Sequence, residues 1–310
     1  MSITPKVLRK MRIIAIPLTR PILAQAHVQK KNNAHPSGIL TYYQFQISSP
    51  RTPEEEKTTP GSRWVPEGGV VKWMSTKAAD TWAGFGKAEG GWKLKMYQVG
   101  ERLVDRMEFE ELALKGIDPS LGPKIPGPDV EGEKSEEAQT SIPLIYPPSI
   151  NTATTTLDEL RALVAVRTPR HRRGFYVWMI VAPFTAPFMI IPIIPNIPFF
   201  FCVWRSWSHY KAYRASQYLQ SLLDAGIIIP EPSPLLDVVY KDYAPTEKPP
   251  SSSAESQTTP IPPRHHELLL TRDAVPAILS VFGLKPSAGA DLLRAVEQAR
   301  ARVRSGREVL

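Results

Sequence analysis

Between Arg173 and Arg205 the chain carries no Asp, Glu, Lys, Arg or His, a run of 31 positions in a sequence that is 22% charged overall. The run reads "GFYVWMIVAPFTAPFMIIPIIPNIPFFFCVW". A helix buried in a globular domain keeps a polar stripe, whereas an uncharged stretch beyond about 18 residues suits a bilayer. The expectation is therefore a membrane helical segment, shaped by Pro183, Pro187, Pro192, Pro195 and Pro198.

From Gly174 to Ile191 a helix would extend about 27 Å, close to a hydrocarbon thickness. Pro183 and Pro187 lie one turn apart and predict a kink there, since each removes a backbone donor. Asn196 then reads as a cap and Pro198 as the first turn of a second helix reaching about Leu223. That helix is apolar for only about 15 Å before Arg205. Its later turns align Ser208, Ala212, Ala215, Leu219 and Leu222 on one stripe and leave His209 and Arg214 on other faces, so it should lie along the interface or against protein. Trp178, Trp204, Trp207, Tyr210 and Tyr213 are candidates for an interfacial aromatic belt.

Both flanks are cationic, with Arg170, Arg172 and Arg173 before the run and Arg205, Lys211 and Arg214 after it. Because cations are retained on the negative side of an energised membrane, the paired clusters favour a proline-tipped hairpin. A single kinked crossing is the rival topology.

The rest of the chain predicts an α+β fold: a small strand-containing N-terminal part with helices, then the proline-kinked membrane segment and C-terminal helices. "RIIAIPL" (Arg12–Leu18), "GILTYYQFQI" (Gly38–Ile47) and "IPLIYPP" (Ile142–Pro148) read as strands from their β-branched and aromatic content. Between 90 and 116, Leu94, Tyr97, Leu103, Met107, Leu112 and Leu114 recur at helical spacing and predict an interrupted amphipathic pair closed by Gly116. Thr156 and Glu159 read as a capping box that starts a helix at Leu157. Two helices are expected near the C-terminus, in "HELLLTRDAVPAILSVFGL" and "SAGADLLRAVEQARARVRSGR". The organisation read from these signals is 1–48 basic strands, 49–69 Pro-rich loop, 70–120 helical, 121–141 flexible loop, 142–169 strand and capped helix, 170–224 membrane segment and interfacial helix, 225–263 Pro/Ser-rich linker, and 264–310 helices. Thirty-two prolines, concentrated in the loop stretches, support the linkers.

Composition narrows the function classes. The single cysteine, Cys202, excludes an intrachain disulfide and a thiolate metal cage. The Gly84-to-Gly90 stretch fits neither a dinucleotide fingerprint nor a P-loop, no Gly-x-Ser-x-Gly elbow is present, and the adjacent His265 and His266 project to different faces. Catalysis, a metal and a cofactor are therefore not expected, and neither is a nucleic acid partner. Net charge is +8, yet residues 1–53 hold Lys6, Arg9, Lys10, Arg12, Arg20, Lys30, Lys31 and Arg51 with no acid at all. Two readings stand for that part, a mitochondrial targeting sequence and a basic edge strand. From Leu160 to Leu223 there is no Asp or Glu, and cation–proton carriers place a titratable carboxylate within the membrane, so the chain alone is a poor ion-translocating pore.

"HRRGFYVWMIVAPFTAPFMIIPIIPNIPFFFCVWRSWSHYKA", with "GERLVDRMEFEELALKGIDPS" upstream and "AVEQAR" near the end, resembles the fungal mitochondrial K⁺/H⁺ exchange-related proteins. The likeness covers most of Met11 to Lys124 and Ile142 to Arg304. It implies a mitochondrial membrane protein connected to potassium–proton exchange and organelle volume, and with the residues above the expectation is a non-enzymatic inner-membrane subunit or regulator of that exchange with matrix-facing soluble parts. The alternative is a scaffold or lipid-shaping hairpin acting on exchange indirectly. The implied partners are anionic membrane lipid, cardiolipin included, and other inner-membrane ion-exchange proteins. Arg170, Arg172, Arg173, Arg205, His209 and Arg214 are the expected lipid or partner contacts, with His209 either a titrating sensor of matrix pH or a plain interfacial histidine. Pro183, Pro187, Pro192, Pro195, Asn196 and Pro198 are the expected shapers of the membrane segment.

Overall fold

The computed structural model describes residues 10–21, 39–48, 77, 80–123, 141–187, 197–245 and 266–305. They divide into two compact units, residues 49–107 and the remainder.

β1 (Lys10–Pro21) lies inside a mixed five-stranded sheet. It pairs antiparallel with β2 (Leu40–Ser48) on one side and parallel with β3 (Ile142–Tyr146) on the other, and β3 pairs parallel with β4 (Ile228–Pro232). β5 (His266–Leu268) runs antiparallel to the last residues of β1. The side chains of β1 alternate between two cores: Met11, Ile13 and Ala15 enter one, Ile14, Ile16 and Leu18 the other. Burial on both faces is why "RIIAIPL" is apolar at successive positions rather than at every second one.

One face is covered by a long helical pair, α3 (Ala153–Thr185) and α4 (Ile197–Asp224). Leu160, Leu163 and Val164 of α3 and Ala212, Ala215, Leu219 and Leu222 of α4 fill that core, so the expected stripe of α4 is a protein-packing face. The opposite face is covered by α5 (Pro234–Asp242), α6 (Ala274–Phe282) and α7 (Pro286–Ser305), through Leu236, Val239, Ile278, Phe282, Leu292, Ala295 and Val296. Short α2 (Phe109–Lys115) serves both layers, with Phe109 in one core and Leu114 in the other.

In the smaller unit, a helix at 80–86 precedes α1 (Gly91–Asp105). Trp82 packs against Tyr97 with ring centroids 5.5 Å apart, and a Cβ on Gly100 would stand 2.3 Å from the Trp82 ring. α1 buries none of its residues, so aromatic contacts hold this pair.

Several expectations need correction. The membrane helical segment is overturned: among the described residues no helix is long and apolar enough to cross a membrane. The physical reason is where the helices start and stop. α3 carries Asp158, Glu159, Arg161, Arg167, Arg170, Arg172 and Arg173 before its charge-free part begins at Gly174, and from there to Thr185 a helix rises about 18 Å against a hydrocarbon core of about 30 Å. α4 meets Arg205 two turns after it begins. Pro169 and Pro183 both sit inside α3, which continues through them to Thr185 rather than breaking. Pro187 follows that helix and Pro198 lies in the first turn of α4. Pro192, Pro195 and Asn196 lie outside the described residues, as do the three Pro-rich loop stretches over most of their length.

The cap of α3 is Thr152, whose hydroxyl accepts the Thr155 N–H, one turn before the expected box. Glu159 is instead 1% exposed and accepts from Thr41 and Asn151. Strand β4 and helix α5 occupy residues expected to begin a linker, and Gly226, at φ 68°, supplies the left-handed turn that reverses the chain into β4. β5 forms where a helix was expected.

Candidate functional site

α2 brings three carboxylates against helices that have none in the stretch where an exchanger would need one. Glu108 receives Arg167 and Arg170, the latter at 2.8 Å. Glu110 lies 3.1 Å from Arg167 of α3 and 3.1 Å from Arg302 of α7. Glu111 receives both ends of the Arg205 guanidinium, the second at 3.0 Å, and the Ser208 hydroxyl at 2.8 Å. One short helix thereby ties together α3, α4 and α7. Its sequence explains how: Phe109 and Leu114 anchor the backbone, the Phe109 N–H donates to Gln298, and the Arg302 guanidinium stacks 5.3 Å from the Phe109 ring. The acids between these anchors then have no route to water.

Burial makes the pairing obligatory. Glu110 is 2% exposed, Glu111 4% and Arg167 2%, and a buried unpaired charge costs several kcal/mol. Burial raises the Glu108 carboxyl, but Arg167 and Arg170 outweigh it and hold the group below its ordinary 4.5. Glu111 shows the same balance, with burial opposed by Arg205 and Ser208 and the net shift downward. Burial depresses Arg167, while Glu110 and Glu108 more than restore it. Lys115, over the Trp204 ring at 5.5 Å, is lowered chiefly by burial.

Behind Glu111 stand two histidines. His171 of α3 and His209 of α4 bring their Nδ1 atoms to 3.1 Å. His171 is 1% exposed, and its Nε2 has no hydrogen-bond partner among the described residues. Burial, with His209 and two arginines adding to it against Glu111, pushes His171 down to about 4, and burial together with Arg205 lowers His209. Both rings are thus neutral at neutral pH. Gly174 makes the arrangement possible, because a Cβ there would stand 2.8 Å from the His209 ring. Glu111, His171 and His209 offer one carboxylate oxygen and two ring nitrogens within 4.8 Å of one another.

Of the residues singled out from the sequence, Arg170, Arg205 and His209 meet in this network. His209 is 7% exposed and turned onto α3, not left on an outer face. Arg172, Arg173 and Arg214 are exposed, and so are Pro183, Pro187 and Pro198. Glu108, Glu110, Glu111, Arg167, His171 and Arg302 escaped the sequence reading. Acids in the first turn of a short helix look like ordinary complements of its dipole, and nothing local says that they are buried. The Glu-Phe-Glu-Glu spelling was the available signal, since an aromatic anchor between three acids pulls its neighbours inward.

The far ends of α3 and α4 carry a different surface. Tyr176, Val177, Met179, Ile180 and Phe184 on α3 and Phe200, Val203 and Trp207 on α4 are exposed, Phe184 at 76%. Trp178 and Phe201 meet edge-on at 5.4 Å beneath them.

The chain is similar to the uncharacterized protein YDL183C of Saccharomyces cerevisiae, at 26% identity over 225 residues, covering 67% of this chain and 68% of the yeast protein. It is also similar to the uncharacterized protein C23H3.12c of Schizosaccharomyces pombe, at 24% identity over 160 residues, 52% of this chain and 66% of the relative. The chain thus spans about two thirds of the length of each. No solved structure matches it. The family model for mitochondrial K⁺–H⁺ exchange-related proteins matches residues 12–223, a span holding β1 through α4 with the acidic helix and both histidines, and the chain belongs to that family.

Proposed function

We propose that this chain is a non-enzymatic subunit or regulator of potassium–proton exchange, held at the surface of the mitochondrial inner membrane with its sheet domain on the matrix side. The observation that carries the reading is the exposed apolar end of α3 and α4. Nine large apolar side chains among the described residues, Val181 included, are open to water, more than a monomeric domain ordinarily leaves uncovered. Arg172, Arg173, Lys211 and Arg214 flank them and are exposed, a combination that suits an anionic lipid surface such as one containing cardiolipin. The side chains enter the headgroup and acyl boundary without crossing it.

The carboxylates favour a subunit over the carrier. Glu108, Glu110 and Glu111 are each matched by arginine. Arginine holds the Glu108 and Glu111 carboxyls below their ordinary value, which disfavours loading and releasing a proton in turn. A partner that does carry protons completes the system.

Liposome flotation of the full chain tests the surface. Binding should appear with cardiolipin-containing vesicles, be weak with phosphatidylcholine alone, and fall at least tenfold in the Arg172→Glu/Arg173→Glu variant. Mitochondria lacking the chain should exchange potassium for protons more slowly, read as swelling in potassium acetate. Unchanged exchange would remove the regulatory role, and pH-driven potassium flux in liposomes holding only this purified chain would make it the carrier.

A further inference from the structure

We propose that Glu111, His171 and His209 form a binding site for one first-row divalent cation, Zn²⁺ above all, that clips α2 to the α3–α4 pair. Three elements each supply one ligand-type side chain, and the three donor atoms lie within 4.8 Å of one another. The separation of the ring nitrogens is that of a hydrogen bond and is also close to a metal geometry. At a Zn–N distance of about 2.0–2.1 Å, two tetrahedral positions are about 3.3–3.4 Å apart. The two Nδ1 atoms stand at 3.1 Å, a few tenths of an ångström from that spacing.

The second observation is the way the two rings face each other. His171 is 1% exposed and turns its Nδ1 onto the Nδ1 of His209. One shared proton uses only one of the two facing lone pairs, whereas a cation between the rings uses both, with the ring protons then on Nε2. A metal takes each imidazole in its neutral form.

The carboxylate is prepared in the same sense. Oε1 of Glu111 is fixed by Arg205 and by Ser208 at 2.8 Å, whereas Oε2 receives Arg205 at 3.0 Å. Outer hydrogen bonds of this kind orient a ligating carboxylate and leave Oε2 a lone pair for the metal. Two nitrogens and one oxygen suit Zn²⁺, Co²⁺ or Ni²⁺ rather than Ca²⁺ or Mg²⁺, which take oxygen ligands. Three protein ligands leave a fourth position for water. This site stands apart from the apolar end and does not depend on the exchange reading.

The test uses the full chain without an affinity tag, stripped with chelator and then titrated with Co²⁺ and Zn²⁺. One equivalent of Co²⁺ should give the visible absorption of a tetrahedral nitrogen and oxygen site, and Zn²⁺ should displace it. Saturating Zn²⁺ should raise Tm by about 5 °C, the shift expected at roughly a hundred times Kd. The His171→Gln and His209→Gln variants should bind at least a hundredfold more weakly. No absorption and no Tm shift at 100-fold excess metal overturns the proposal, as does unchanged binding in the folded variants. If those variants do not fold, the X-ray absorption spectrum of the wild-type zinc complex decides, because fewer than two imidazole ligands overturns the assignment equally.

Discussion

Arg167 concentrates the stability of the network in one side chain. It is buried and faces Glu108 and Glu110, the second of them also buried. Arg167→Met keeps the stem and removes the charge, leaving Glu110 to Arg302 alone. Loss of one member of a buried ion set costs about 3–5 kcal/mol, read as a lowered urea midpoint. Glu108 predicts the pH dependence. Its carboxyl is held below 4.5 in the folded chain, so the unfolded chain takes up the proton first as pH falls. The stabilisation is complete above the ordinary carboxylate range and declines as pH drops through 4.5 toward the lower folded value. Glu108→Gln should flatten that limb of a stability–pH curve while lowering the plateau near neutrality.

The contact of α3 with α4 depends on a glycine. Replacing a helical glycine with alanine ordinarily gains about 1 kcal/mol of helix propensity. At Gly174 the new Cβ would stand 2.8 Å from three atoms of the His209 ring. That ring cannot step aside freely, since His171 holds its other edge. Overpacking costs about 1–3 kcal/mol, so Gly174→Ala should destabilise on balance despite the better propensity, and thermal unfolding measures the sign. The elements themselves were widely legible: β1, β2, β3 and α4 form where β-branched runs and helical spacing predict them. β4 and α5 were not, because "IIPEPSPLLDVVY" is spelled with the prolines of a linker. Pro230 and Pro232 are tolerated there because, among the described residues, β4 pairs only with β3 and lies at the sheet edge.

For the whole molecule, the uncharged run divides its residues between two roles. Ala182 and Cys202 are buried, while Ile180 and Phe184 are exposed at 62% and 76%. Ile180→Ser with Phe184→Ser should leave the urea midpoint within about 0.5 kcal/mol of the parent, as surface changes do. The same pair should sharply reduce flotation with cardiolipin vesicles. A large loss of stability would place these side chains in a protein core instead.

Sequence alone determined β1, β2 and β3, the helix α4 and the family likeness, since each rests on local spacing and composition within one segment. It could not decide whether an uncharged run is a bilayer helix, because that depends on where helices begin, end and find cover. Nor could it show that the arginines of the carboxylate-free stretch from Leu160 to Leu223 pair with Glu108, Glu110 and Glu111. Those acids lie more than fifty residues away from Arg167 along the chain. Tertiary packing alone carries them to the arginines and histidines, because burial rather than sequence proximity decides which charges must meet.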